Sequence, residues 1–456
     1  MIAKKTNIKR LLHVGLLFLM VAMLLTTATQ NSIAAQDTDL TAYTDAGIDW
    51  QQAAGEEIIL GGLEHPWIEA LTPLLPQFTE LTGIKVTPQI ASETEYVTKM
   101  PVTLGGGSAT PDVFMVWAMG QAVAAKWLEP LDMYYADPKL TDLAWYDEAD
   151  IFNSARQFPV WPTDKRRYTA TITAEAQTLF LRKDLLEEKG LEAPKTFDDL
   201  LALAEALKSD DMAGIAMRAK PTGDAVAWPA AGFVFSYGGQ IIDENGQAVF
   251  DSPEAVAAIE MYAKLLGENG PQGVATYHWY ESLNDFMQGK VAISGDSSNF
   301  AADIENPEKS TVAGKTLYGA FPQQGNLPSK PNLWHWMIGM NAASEHKTAA
   351  WLFIQWATSK PTSLQLGRNG AAPARISTWQ DADFKARFGE QAAEAALANL
   401  KNADGAVMTR TWFNPKGPEV LDLFAVAVNE VITGSKDAQS ALSEAAQTAN
   451  DEVLSQ

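Results

Sequence analysis

The sequence predicts an α/β protein built from more than one domain. Short β-rich runs alternate along the chain with longer segments of helical period, the pattern of sheets covered by helices. A length of 456 residues, 46% of them hydrophobic, is too much for one small module and sets the expectation at two or three domains with ample apolar sequence for their cores. After the N-terminal leader no segment approaches the roughly eighteen uninterrupted apolar residues of a spanning helix.

The elements follow in order. Lys4, Lys5, Lys9 and Arg10 precede an apolar run over 11–25, and small residues stand at Ser32, Ala34 and Ala35. That layout predicts a secretory signal peptide over 1–35, cleaved after Ala34 or Ala35 and too short for a stable span. The sequence has no cysteine, so a lipid anchor at the cleavage site is excluded; a periplasmic or extracellular protein that is not a lipoprotein is expected. Residues 57–61 (EIILG) read as a buried strand, 67–81 as a helix and 84–89 as the next strand. The GGGS run at 105–108 lacks the Lys-Ser/Thr ending of a phosphate loop and is followed by Thr110 and Pro111, so that reading is set aside. Thr196 caps a helix with Asp198 and Asp199 in its first turn and Leu200, Leu203 and Leu207 on one face. Ser252 before Pro253 opens another, with Val256, Ile259, Tyr262 and Leu266 at helical spacing. Ser344 opens a third, whose Trp351 and Trp356 read as core.

Composition removes several functions. A formal net charge of -22 offers no long-range attraction to nucleic acid or anionic lipid. Without cysteine there are no disulfides, thiolate zinc sites, iron–sulfur clusters or cysteine nucleophiles. Outside the leader, His65, His278, His335 and His346 are scattered without ligand spacing, so neither a metal centre nor a cofactor is expected. No HExxH or GxSxG signature occurs. A glycoside-active enzyme needs only two well-placed carboxylates, and among 56 acids that alternative stays open.

What the chain offers is tryptophan, fourteen in all. Trp117, Trp228, Trp279, Trp334, Trp336 and Trp412 sit in polar or Pro/Gly-rich contexts unsuited to a core. An indole stacks on the C–H face of a sugar or polyol while carboxylates, amides and guanidinia bond its hydroxyls, so the set predicts a carbohydrate site. The competing reading for each is ordinary packing, because tryptophan is highly buried on average.

Five collinear blocks carry a family resemblance. They are PDVFMVWAMGQAVAAKWLEPLD at 111–132, TLFLRKDLLEEKGLEAPKTFDDLLALAEALK at 178–208, FSYGGQIIDENGQAVFDSPEAVAAIEMYAKLL at 235–266, FMQGKVAI at 286–293 and AAWLFIQWATS at 349–359. Together they resemble the extracellular solute-binding proteins of ABC importers, in the maltose-binding-protein-like sugar and polyol family. ITAEAQ at 172–177 departs from that family's Tyr-Gly-Glu-Ser run but keeps Glu175, and Gly295 stands where a bulky residue is common.

The resemblance implies a two-lobed periplasmic-binding-protein fold with hinge strands and a ligand cleft between the lobes. It places lobe 1 at 36–152 plus 300–342 and lobe 2 at 153–299 plus 343–456. It also implies a monomer without enzymatic activity, which captures a sugar, polyol or sugar derivative and delivers it to the permease subunits of an importer. Ligand-binding candidates are Glu64 or His65 after the first strand, Glu93 after the second and Trp117 at the edge of the third. Glu175 is carried over from the family strand. Arg218 stands as a clamp for a hydroxyl pair or an anionic substituent, and Asp296 as a hydroxyl acceptor. Trp228, Trp279, Trp334 and Trp336 are platforms, the last two on one strand face by period-two alternation. Arg375 either reaches the cleft or fixes its own loop. With Arg218 and Arg375 both counted, an acidic sugar derivative or a glycerol phosphodiester remains an alternative cargo.

Overall fold

A computed structural model describes residues 40–455; the predicted signal peptide lies outside the described residues. Residues from Tyr43 onward form one unit, to which everything below refers; of the unit before it only residues 40–42 are described. In chain order the strands are β1 (Glu57–Leu63), β2 (Lys85–Ala91), β3 (Val113–Val116), β4 (Thr169–Thr171), β5 (Glu175–Arg182), β6 (Ala213–Ala216), β7 (Val291–Ser297), β8 (Thr316–Gly319), β9 (Leu333–Trp334) and β10 (Met337–Met340). They form two sheets, ordered β2-β1-β3-β10-β4 and β6-β7-β5-β8, with β9 pairing the start of β5.

In the first sheet β1 pairs in parallel with β2 and β3, while β10 runs antiparallel to β3 and β4. In the second, β6 and β7 are parallel and β5 runs antiparallel to both β7 and β8. β3, β5 and β10 are buried along nearly their whole length, as strands covered on both faces must be.

Local chemistry explains where helices start and break. Thr196 and Asp199 form a reciprocal capping box for the Phe197–Leu207 helix, and Ser252 accepts from the N–H of Ala255 ahead of the Pro253–Asn269 helix. The single helix expected over 67–81 is instead Pro66–Leu71, a tight turn at Thr72–Leu74, and Leu75–Thr82. Pro73 and Pro76 lack the N–H that would continue one helix through. Ser344 does not cap the Lys347–Ala357 helix; its hydroxyl donates to Asp112 at 2.6 Å, and His346 takes the cap position. Trp351 and Trp356 of that helix are fully buried.

Sheet membership moves the expected boundaries. β4 belongs to the first sheet, so the chain leaves it after Thr171 rather than near residue 152. β8 belongs to the second sheet, which keeps 300–319 there. The Lys347–Ala357 helix packs on β1 and β10, and the Lys360–Arg368 helix packs on the Pro66–Leu71 helix, so 347–368 stay with the first. A three-residue strand such as TAT carries too little pattern to mark such a crossing in sequence.

Three chain segments pass between the sheets side by side. Ile172 N–H donates to the Trp336 carbonyl at 2.8 Å, Ala174 N–H to the Ala372 carbonyl at 2.9 Å, and Thr173 bridges Pro373. His335, fully buried, sits among them with Nδ1 3.0 Å from the Thr173 carbonyl and Nε2 3.0 Å from Ser154 Oγ.

Candidate functional site

Strand ends from both sheets converge on one cavity. From the first lobe, His65 follows β1, Glu93 opens the helix after β2, and Trp117 follows β3. From the second, Glu175 begins β5, Arg218 lies just past β6, and Ser297 ends β7 with Phe300 in the turn beyond. The loop and helix after Arg218 add Asp224 and Trp228, and the Trp279–Met287 helix adds its first residue. Trp334 and Trp336 come from a crossing segment, and Trp412 from the end of the Gly405–Trp412 helix. Ligand sites of open α/β sheets lie at the carboxyl ends of strands, as here for β1, β2, β3, β6 and β7.

Two close approaches make this wall. The Ala227–Ser236 helix lies so near β5 that a Cβ on Gly232 would stand 1.8 Å from Gln177 Oε1, and Gln177 Nε2 donates to the Pro229 carbonyl at 3.0 Å. The loop carrying Asp224 is held from behind by the Gly417–Ile432 helix. Asp422 accepts from Gly223 N–H at 2.8 Å, and Asn429 Nδ2 donates to the carbonyls of Ala219 and Ala275 at 2.8 Å each.

Nine sequence candidates line the cavity: His65, Glu93, Trp117, Glu175, Arg218, Trp228, Trp279, Trp334 and Trp336. Three do not. Glu64 is exposed, because the chain turns there and presents His65 inward as the cap of the Pro66–Leu71 helix. Asp296 faces away from the cavity on β7 and holds Arg218 in a two-pronged ion pair at 2.8 and 2.7 Å, so it positions the guanidinium rather than standing as a free hydroxyl acceptor. Arg375, 1% exposed, donates to the carbonyls of Thr358, Asp147 and Tyr146 at 2.7, 2.9 and 2.7 Å. It fixes its loop and does not reach the cleft.

Trp279 lines the cavity but is not an open platform. Its ring is stacked between Tyr280 and Phe300, at centroid distances of 3.7 and 4.9 Å, and its Nε1 donates to Glu93 Oε2 at 2.9 Å. Trp334 and Trp336 lie 5.5 Å apart edge to face, and both reach the cavity while the intervening His335 turns to the crossing segments. Asp224, Ser297 and Phe300 were not among the sequence candidates for the site, and Trp412, counted in the tryptophan set, was given no binding role there. Trp412 alone carried a signal, its polar surroundings.

The polar groups are ordered by shared partners. Glu175, 3% exposed, accepts from Ser297 Oγ at 2.5 Å through Oε2. Its Oε1 lies 3.3 Å from His65 Nε2 but has no hydrogen-bond partner of good geometry. Burial alone would raise the Glu175 carboxyl, yet His65 and Ser297 hold it below its ordinary value. Asp224 accepts from Thr94 Oγ1 at 2.8 Å and faces His278 Nε2 at 3.2 Å; against the effect of burial, these hold its carboxyl low as well. Glu93 is different: burial raises its carboxyl, and the nearby His278 and Arg218 do not offset that. The indole nitrogens of Trp228 and Trp334 are buried donors without a protein partner. Around this cavity the lobes touch directly, through Glu93 with Trp279, Glu93 N–H with Tyr280 Oη at 3.1 Å, and Thr94 with Asp224.

Two sheets meeting across a buried aromatic and polar cleft define a two-lobed binding protein. The family model of the bacterial extracellular solute-binding proteins matches residues 64–363, and the chain belongs to that family. It is 29% identical over 427 residues to the erythritol/L-threitol-binding protein of Mycolicibacterium smegmatis, covering 89% of this chain and 88% of that one. An ABC transporter solute-binding protein of Agrobacterium radiobacter K84, solved in complex with ribitol, superposes with a TM-score of 0.80 at 27% identity, covering 87% and 99% of the two chains. One from Agrobacterium vitis S4, with bound D-mannitol, gives 0.78 at 25% identity, covering 87% and 98%. The protein is the substrate-binding subunit of an ABC importer.

Proposed function

We propose that the cleft captures one sugar or polyol of monosaccharide size, and that the chain delivers it unaltered to the permease. The observation that carries this reading is the combination of indoles with buried polar atoms lacking protein partners, Glu175 Oε1, Trp228 Nε1 and Trp334 Nε1. Buried polar groups require partners, and the hydroxyls of a polyol supply both donors and acceptors. The size is that of the polyols named for the relatives, erythritol or L-threitol, ribitol and D-mannitol. An anionic cargo loses its support, because Arg218 is neutralised by Asp296 and Arg375 lies outside the cleft.

As the rest of the proposal, the crossings near 172, 335 and 372 form the hinge on which the lobes close, and Glu93, Thr94 and Asp224 hold the closed form. No step of bond cleavage is required of Glu93 or Glu175. We also propose that export follows cleavage of residues 1–35 and that the carrier is a free monomer outside the cytoplasm; the mass and N-terminal sequence of the exported protein test this. A thermal-shift screen of tetritols, pentitols, hexitols and monosaccharides, with calorimetry on each hit, tests the cargo. One-to-one binding with the ligand recovered unchanged is expected, and product formation would instead mark a glycoside-active enzyme.

A further inference from the structure

The charge on the cavity wall narrows the ligand further. Glu93, Glu175 and Asp224 line it, 6%, 3% and 6% exposed. The basic groups near them are already engaged with partners other than Glu93. Arg218 gives two N–H groups to Asp296 and a third to the Asp224 carbonyl at 3.2 Å. The Nδ1 atoms of His65 and His278 each accept a backbone N–H, from Trp67 at 3.1 Å and Trp279 at 2.8 Å. Their Nε2 atoms face other groups than Glu93: His65 lies 3.3 Å from Glu175 Oε1 and 3.3 Å from Asn299 Nδ2, and His278 lies 3.2 Å from Asp224 Oδ2. Lys220 Nζ meets Thr94 Oγ1 at 3.0 Å and does not line the cavity.

Glu93 thus has a neutral indole N–H for its side-chain donor, and Glu175 keeps one buried oxygen without a hydrogen bond. The wall is completed by Trp117, Trp228, Trp334, Trp336 and Trp412, and indole π systems favour a cation over a neutral group. A neutral polyol fills the acceptors but brings no charge into the closed cleft. An ammonium on the same skeleton donates three N–H groups and also supplies the missing counter-ion.

We propose that the cleft takes an aminated sugar or amino polyol in preference to the parent hydroxyl compound, with the ammonium against Glu93. This rests on the sugar or polyol reading above. Calorimetry on matched pairs, glucitol with glucamine and glucose with glucosamine, tests it at low and high salt. The amine of a pair is expected to bind roughly tenfold tighter, the difference between a charged and a neutral hydrogen bond. The preference persists at high salt, because a buried pair is poorly screened, and Glu93→Gln brings the two members of the pair together. Equal or tighter binding of the hydroxyl member overturns the amine proposal and leaves the polyol reading standing. A preference that disappears at high salt also overturns it, since that reports only the chain's overall charge of -22. An unchanged ratio in Glu93→Gln removes Glu93 as the ammonium partner. Absence of binding by either pair and by the neutral panel overturns both readings.

Discussion

The two lobes contribute to the cleft in different ways. The second-lobe wall is braced from behind: Arg218 by Asp296, Gly223 by Asp422, and the loops at Ala219 and Ala275 by Asn429. The first-lobe wall offers fewer polar groups, His65 and Glu93 with Trp117, and Glu93 finds its partners across the cleft in Trp279 and Tyr280. A binding protein that closes on its ligand gains from this asymmetry. On the proposed closure, one wall is preorganised to receive the solute and the other is completed only when the lobes meet. Damage to the braces behind the second wall should therefore appear as lost stability, and damage to ligand-facing groups of either wall as lost affinity.

Arg218→Ala should be the most severe change. It leaves Asp296 buried without its partner, for which about 3–5 kcal/mol of stability is expected to be lost. Denaturant unfolding without ligand measures this; Glu93→Gln, at the first wall, should leave that transition nearly in place. A loss under 1 kcal/mol in Arg218→Ala would deny the brace. The crossing segments supply the next effect. Burial lowers His335 to about 4, against the opposing pull of the Thr173 carbonyl and Glu175. Between about pH 6.5 and 4 the unfolded chain binds a proton that the folded chain refuses, so folding should weaken by about 3 kcal/mol as pH falls through that window. Urea unfolding across that range should show a shallower slope in His335→Asn, and an identical slope would remove His335 as the source.

Smaller effects are read as affinity or release. Glu175→Gln should fold and lose about 1.5–3 kcal/mol of binding, as expected for a charged hydrogen bond to the ligand. Trp334→Phe keeps an aromatic ring but removes the indole N–H, for an expected loss of about 1 kcal/mol. Thr94→Val removes a contact between lobes without touching the cavity, and should raise the dissociation rate by several-fold, near the lower end of a hydrogen bond's worth of about 0.5–1.5 kcal/mol. Stopped-flow release measures that, and an unchanged off-rate would show that the Asp224 contact does not hold the cleft shut.

The α/β alternation was legible in local signals, whereas the two-lobed fold and most of the site were legible through the family resemblance. Glu93 and Trp117 follow strands that the residues themselves mark, at 84–89 and in PDVFMV, while Glu175 and Arg218 came from the resemblance. The misses fall where side-chain direction decides. Glu64 and His65 are neighbours on one turn, and only the cap bond to Trp67 shows which points inward. Asp296 and Ser297 are adjacent on β7 and face opposite ways, so the acceptor expected of the first is a guanidinium partner and the second reaches Glu175. Asp224 lies in an irregular loop with no period to read, and its place is set by a helix some two hundred residues later through Asp422. Trp279 looked like a platform because sequence does not show that Tyr280 and Phe300 cover its faces.

The most direct test of the central claim is the structure of the protein with the tightest sugar or polyol from the binding screen. The account predicts ligand enclosed between the lobes, with polar groups within hydrogen-bond distance of Glu175 Oε1, Trp228 Nε1 and Trp334 Nε1 and its C–H surface against the indoles. A ligand bound elsewhere, or one that leaves those three atoms unpartnered, would contradict it.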